Sequence, residues 1–499
     1  MSSEKLLDLM VGKGLEGGIF PSAEPTAGVV WNSSLDVWFR DLSIEQTLGR
    51  VKKLDLIWRP ARFLTQAFNN PNKTLYYENA GAVYGVNATG NPSVFSAPYF
   101  IGALDVNGDY WLEPWGNWLA MTDGITQPVL WQGAGAPIPI GVGQFKTVRI
   151  FRKIAQFLVA YGLGGTPDGD AQNGFAWCDV NDPTNWTPAV PPNFASAARN
   201  LIIRDLDSEI VCVTELGGAH AVYSRNYMIL VQYVGPGGGW LGTPTQALVG
   251  IGAVSKRSVV SVGPYNFGLS RGGVFATDGS TFSWIDRPAV DAWLQANIDF
   301  AQASSIWGYW DTRLQLVVWV LPLLSSSLFY SPSSPRIRLS MDPKTRTVTP
   351  ESIYLSRKVF GFLDGVPYGG MEQEVFEQTI SVLQDGIYFE SVPGTVNGSF
   401  SLVSQLFDAG DTSIYKLWDF LELIGTIDKS DSTMQISFGY SDEPRLDTIN
   451  FDPPQPLAFL NFPAQGPRES VYFAFKISGS SSFKITSIKV HGEKAGYVS

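Results

Sequence analysis

The sequence has little of what catalytic and metal sites are commonly built from. It holds two histidines, His220 and His491, and two cysteines, Cys178 and Cys212, in 499 residues. Two cysteines make no disulfide framework, and they are expected as buried free thiols rather than a bridge. No His/Cys cluster has zinc-ligand spacing. No nucleophile elbow, P-loop or dinucleotide fingerprint occurs. Charge is scarce: Asp, Glu, Lys and Arg make up 16%, against about 25% in an average domain. No apolar run is long enough to span a bilayer. The longest, Leu314–Leu324, holds Gln315 and Pro322 and is expected as a buried strand. Met1–Phe20 has no apolar run of the signal-peptide kind, so the expectation is a soluble chain made in a reducing cytoplasm.

What the chain does have is turns, aromatics and an acidic balance. It carries 51 Gly and 32 Pro, and 13% of its residues are aromatic. With 35 Lys plus Arg against 46 Asp plus Glu, the formal net charge is −11, which argues against a general nucleic-acid-coating protein. The length implies two to four domains. A unit of strand, Gly turn, strand, Asp/Asn-Gly turn and aromatic-ended strand recurs from Thr74 to Met341. Its best-matched copies share Thr122–Gly124 and Thr277–Gly279, followed by Trp131 and Trp284. Asp-Gly favours tight hairpins because Gly accepts positive φ. Repeated meanders of this kind indicate an all-β chain holding a β-propeller. The expected layout is an N-terminal extension over 1–30, a propeller of about six blades with loop insertions over 31–395, and a C-terminal β-sandwich over 396–499. Helical segments are expected at Arg287–Phe300, at Ser43–Leu54, and as a turn or two at Glu4–Leu9.

Candidate sites are few. His220 follows Gly217-Gly218 in an expected turn, and His491 is expected at the surface at the end of the last strand. Asp105-Val-Asn107-Gly-Asp109 begins like a calcium loop but lacks its Gly and Glu positions, so a tight hairpin turn is the better reading. Pro167–Asp170 is another acidic loop. Thr277–Trp284 superficially resembles a sialidase Asp-box in the wrong register, which keeps a propeller glycosidase with paired carboxylates as an alternative. Arg50, Lys52, Lys53, Arg59 and Arg62 interleave with Trp58 and Phe63. They are either a contact for phosphate or an acidic partner, or a solvated strand–loop face. Arg336, Arg338, Lys344 and Arg346 form a looser cluster with the same two readings. Trp111, Trp115 and Trp118 are expected to pack between blades rather than bind sugar rings.

Several phrases resemble a known family, the tail nozzle (tail accessory or tail tubular) proteins of short-tailed bacteriophages. They are Trp31–Glu45 with Gly49-Arg50, Phe175–Trp186, Phe267–Gly279, Gly308–Asp311 with Leu316–Trp319, and Ile488–Gly496. The resemblance is one of texture over most of the chain. It implies a non-enzymatic virion protein without cofactor, assembled in the host cytoplasm as a hexamer below the portal and adaptor rings. Tail fibre or tailspike proteins are further implied partners. Duplex DNA would pass through its central channel without sequence-specific binding, retained by a plug that opens on ejection. Much of the acidic excess is then expected to face the channel, because a basic lumen would grip phosphate. The alternative within a virion is a minor tail or receptor-binding protein. Candidate gate loops are Gly162–Gly174, Leu323–Pro335 and Gly235–Gly242, the last through Gly235, Gly237, Gly238, Gly239 and Trp240.

Overall fold

The computed structural model describes residues 74–87, 97–189, 197–206, 208–235, 240–242, 250–285, 290–312, 314–327, 329–330 and 335–350 with their side chains, together with Thr65 and stretches within 401–488. For the remaining strands, pairing alone is described. Seven antiparallel meanders follow one another along the chain. The first uses Phe63–Gln66, Thr74–Asn79, Ala82–Thr89 and Tyr99–Ala103. The second runs from Trp111–Trp115 out to Ile138–Pro139, the third from Thr147–Ile154 to Arg199–Ile202, and the fourth from Cys212–Leu216 to Trp240–Pro244. The fifth runs from Val259–Val262 to Phe282–Ile285 and the sixth from Trp307–Asp311 to Val348–Ser352.

The seventh sheet closes the circle. Arg357–Leu363, Val366–Met371 and Gly386–Glu390 supply three strands, and the N-terminal strand Arg50–Asp55 supplies the fourth, with Asp55 opposite Gly386 and Arg50 opposite Glu390. The leading strand of each sheet packs against that of the next, and Arg357–Leu363 returns to Phe63–Gln66. Cyclic packing of this kind is a β-propeller, which protects strand edges without forming a barrel. The ring has seven sheets where the repeated phrases give about six.

Local chemistry explains the meanders. Gly124 and Gly279 take φ of +74° and +92° in the two Asp-Gly turns, where a side chain would be strained. Leu316–Pro322 is buried along its whole length as the second strand of the sixth sheet, and each such Val or Leu contributes about 1.5–3 kcal/mol. Trp319 sits at 0% exposure, and its indole N–H donates to the Ser258 carbonyl at 2.9 Å.

Three expected elements differ. Glu4–Met10 is a strand paired with Phe483–Tyr497, not a helical turn. Ser43–Leu54 holds the strands Ser43–Gln46 and Arg50–Asp55 instead of a helix. Gly162–Gly174 is part of a long hairpin, Phe157–Thr166 with Gly169–Trp177, whose Gly-rich composition permits bulges. The helix expected at Arg287–Phe300 is Ala289–Asn297. The C-terminal strands build two six-stranded sheets that also take in N-terminal strands. Glu4–Met10, Val37–Arg40 and Ser43–Gln46 enter one, and Trp31–Leu35 the other. The strands of the ring therefore begin at Arg50, not at residue 31, and the ring is inserted into this two-sheet module. His491 lies inside Phe483–Tyr497, paired on both sides, rather than at its end.

Candidate functional site

Side chains from opposite sides of the ring meet at its axis. The segment Ser255–Ser258 leads into the fifth sheet. Ser258 Oγ accepts the amides of Val254 and Ser255 at 3.1 Å, and Ser255 Oγ donates to the Ile306 carbonyl at 3.1 Å. The Gly308 amide donates to the Arg257 carbonyl at 2.7 Å. A Cβ on Gly308 would stand 2.7 Å from that oxygen, so only glycine allows the approach.

This framework aims Lys256 and Arg257 across the ring. Lys256 Nζ meets Asp109 Oδ2 at 2.8 Å and donates to the Asp109 carbonyl at 2.8 Å. Arg257 donates to the Tyr110 carbonyl at 3.0 Å. Its guanidinium carbon lies 4.8 Å from the Trp111 ring and 3.7 Å from the Trp307 ring. Arg152 covers Trp111 from the third sheet at 4.7 Å and donates to the Val213 carbonyl at 2.9 Å. The result is a stack, Arg152–Trp111–Arg257–Trp307, within the roughly 6 Å reach of cation–π attraction. The second and fifth sheets are not neighbours in the ring, so they meet through its axis. The stack therefore crosses that axis.

Burial tunes these groups. It lowers Lys256 to about 8, against the opposing pull of Asp109. Burial also raises Glu113, although Arg152 at 3.8 Å and the Trp111 indole N–H at 3.2 Å favour its charge. Lys256 and Arg257 were not among the sequence candidates. Their only sequence signal is two adjacent cations in a chain poor in charge.

The remaining polar candidates are engaged by the framework. His220 lies in the strand Ala219–Tyr223 rather than a turn, and is 1% exposed. The Lys153 carbonyl, at 3.0 Å from Nε2, can only accept, so Nε2 carries the proton. Nδ1 then accepts from the Tyr161 hydroxyl at 2.6 Å. Burial first, and then Arg152, lower His220 to about 3, against the Lys153 contact. The unfolded value is about 6.5, so the neutral ring's contribution is intact above pH 6.5 and is lost as pH falls toward 3. Stability is expected to drop by about 1.4 kcal/mol per pH unit across that window from this residue. Urea unfolding of His220→Gln between pH 6.5 and 4.5 should show a flatter dependence than the parent; an identical slope would contradict the assignment.

Cys178 and Cys212 are free and buried, and burial raises them to about 12 and 11, which suppresses thiolate chemistry. Asp123, 1% exposed, accepts the amides of Asp105, Ile125 and Thr126 and the Thr126 hydroxyl at 2.7–2.8 Å. Asp105 accepts the Asn107 amide at 2.8 Å, so Asp105–Asp109 is a tight turn, but it links the outermost strand of the first sheet to the leading strand of the second instead of closing the expected hairpin. Asp278 caps its own turn through Ser280 and Thr281, and these bonds, led by the Thr281 amide, hold it well below the usual carboxylate range. Among the described residues, no group of three or more His, Cys, Asp or Glu is placed to hold a metal.

The basic clusters separate. Arg50, Lys52 and Lys53 lie on the closing strand of the seventh sheet; Arg59 and Arg62 lie outside the described residues. Arg336 and Arg338 are 4% and 2% exposed, so they form no surface with Arg346. Arg336 donates to the Ser305 carbonyl at 3.1 Å, Arg338 lies 5.8 Å from the Tyr309 ring, and Arg346 bonds Ser283 at 3.1 Å. Trp111 packs in the core as expected, while Trp115 and Trp118 are half-buried against each other. Of the gate candidates, Gly237, Gly238 and Gly239 lie outside the described residues. Gly235 takes φ of +101° in open space. Trp240 begins an outer strand and packs against Phe157, Phe175, Trp177 and Tyr233.

No protein-family model and no curated protein matches the chain. Solved structures similar to it include three propeller-type proteins. One is AztD from Citrobacter koseri, at 11% identity over 72% of this chain and 97% of that one, with a TM-score of 0.40. Another is the WD40 domain of Pan2 from Neurospora crassa, at 8% identity over 68% and 90%, with a TM-score of 0.38. The third is BamB from Moraxella catarrhalis, at 7% identity over 71% and 92%, with a TM-score of 0.36. The fold assignment rests on this chain's own sheet order. Among the described residues, no helix is long and apolar enough to cross a membrane.

Proposed function

We propose that the chain is a non-enzymatic structural protein, and in its specific form the hexameric tail nozzle of a short-tailed bacteriophage. The observation that carries the structural part is the engagement of the reactive side chains: His220, Cys178, Cys212, Asp123 and the axial Lys256–Arg257 pair all bond to the framework. The phage part rests on the sequence phrases quoted above. The axis of one ring is crossed by the Arg152–Trp111–Arg257–Trp307 stack, so the DNA channel of this proposal runs between subunits, walled by the acidic excess. The two C-terminal sheets pack as a sandwich in this reading. The portal or adaptor rings and the tail fibres or tailspikes are its neighbours in the virion. Negative-stain images of the full chain should show sixfold rings with an open centre; isolated monomers with turnover on glycans would favour a glycosidase, and trimers a receptor-binding protein.

A further inference from the structure

Six of the seven sheets are built from strands consecutive in the chain; the seventh is not. Its outermost strand, Arg50–Asp55, lies at the end of the sheet and pairs with Gly386–Glu390. The ladder has five pairs, from Asp55 opposite Gly386 to Arg50 opposite Glu390, with a register slip between Ile387 and Tyr388. From Asp55 the chain runs on into the first sheet at Phe63, so this strand is the link that ties the two ends of the ring together. Without it, the first and seventh sheets are joined by packing alone, chiefly of Arg357–Leu363 on Phe63–Gln66.

The link is short on the module side. Ser43–Gln46 belongs to the module, where it pairs with Val37–Arg40 and, at Ile44 and Glu45, with Ile485 and Lys484 of the last strand. Three residues, 47–49, separate it from Arg50, and they let the Cα atoms of Gln46 and Arg50 part by no more than about 14 Å. The other crossing, from Glu390 to Phe400, has nine residues and can reach about 35 Å. Displacement of the module sheet that holds Ser43–Gln46 therefore pulls on the Arg50 end of the ladder. A ladder pulled from one end parts one pair at a time, and an edge strand has no second ladder to hold it. We propose that Arg50–Asp55 is a clasp worked by the two-sheet module: when that module sheet moves away, the strand peels from Gly386–Glu390 and the ring opens between its seventh and first sheets. The device lies within one copy of the chain.

Hydrogen exchange of the full chain, read by mass spectrometry over a urea series, tests the clasp. In the parent, Arg50–Asp55 and Gly386–Glu390 should lose protection in the same step as Ser43–Gln46 and before the buried strand Leu316–Pro322. A Gly/Ser segment of about twenty residues, a flexible coil, inserted between Thr47 and Leu48 should separate them. The ladder should then exchange at least about tenfold more slowly than Ser43–Gln46 in that step. The same segment between Thr395 and Val396 lengthens the crossing that is already long and should leave the parent's pattern. Ile44→Pro, which removes a backbone donor from the module strand, should speed exchange of Gly386–Glu390 at least about tenfold without changing Leu316–Pro322. A parent whose ladder and module strand open in separate steps overturns the clasp. So does a ladder that opens with Ser43–Gln46 despite the insertion after Thr47, or one that Ile44→Pro leaves as protected as before.

Discussion

Trp111→Ala should destabilise the ring by about 5 kcal/mol. Truncating a buried Trp costs about 3–5 kcal/mol through lost burial and the cavity left behind. Trp111 is 3% exposed and also separates two guanidinium groups, Arg152 and Arg257. Each cation–π contact adds about 0.5–2 kcal/mol, and without the ring two cations face each other across a void. Trp111→Phe keeps an aromatic face and should lose about half as much. Far-UV monitored urea unfolding checks both. An alanine variant within about 2 kcal/mol of the parent would contradict the axial brace.

Asp123→Ala comes second, at about 3 kcal/mol. Its carboxylate satisfies four donors, three amides and a hydroxyl, and buried donors left unpaired cost about 1–3 kcal/mol each before solvent reaches them. Burial opposes its charge, but the amides of Asp105, Thr126 and Ile125 and the Thr126 hydroxyl outweigh it and hold Asp123 below the usual carboxylate range. Its contribution is therefore present above the unfolded value of about 3.9 and fades as pH falls through the lower folded value. Asp123→Asn should lose stability at neutral pH and show a shallower acid decline. Asp278→Asn, on an exposed turn with the same local bonds, should lose less. Equal losses at the two positions would show that burial is irrelevant to the turn.

The contrast between these aspartates shows what a sequence carries. The Thr-Asp-Gly phrases announce both turns, because the chemistry of an Asp-Gly hairpin is local. The buried strand Leu316–Pro322 was legible for the same reason, as a continuous apolar run. The seventh sheet was not. Its local sequence supplies only three strands, and the fourth, Arg50–Asp55, arrives from the other end of the ring. Pairing between distant segments leaves no periodicity in either. The insertion of the ring into a module built from Glu4–Gln46 and the C-terminal strands is invisible for the same cause. At the site, the two cysteines were legible as buried free thiols, since two in a chain of this composition make no disulfide framework. The axial brace was not legible, because Lys256 and Asp109 lie 147 residues apart and only the closed ring brings them to 2.8 Å. Arg336 and Arg338 mislead in the opposite sense. Adjacent cations usually mark a solvated face, yet both are buried on the third strand of the sixth sheet, where Arg338 reaches toward an aromatic ring.

The mass of the full chain in solution tests the central claim most directly. A subunit of 54.5 kDa taken six times gives about 327 kDa, and mass photometry at physiological salt should find that species, with the ring closed and the channel between subunits. A chain that stays at 54.5 kDa at every concentration, or that stops at a trimer, would contradict it.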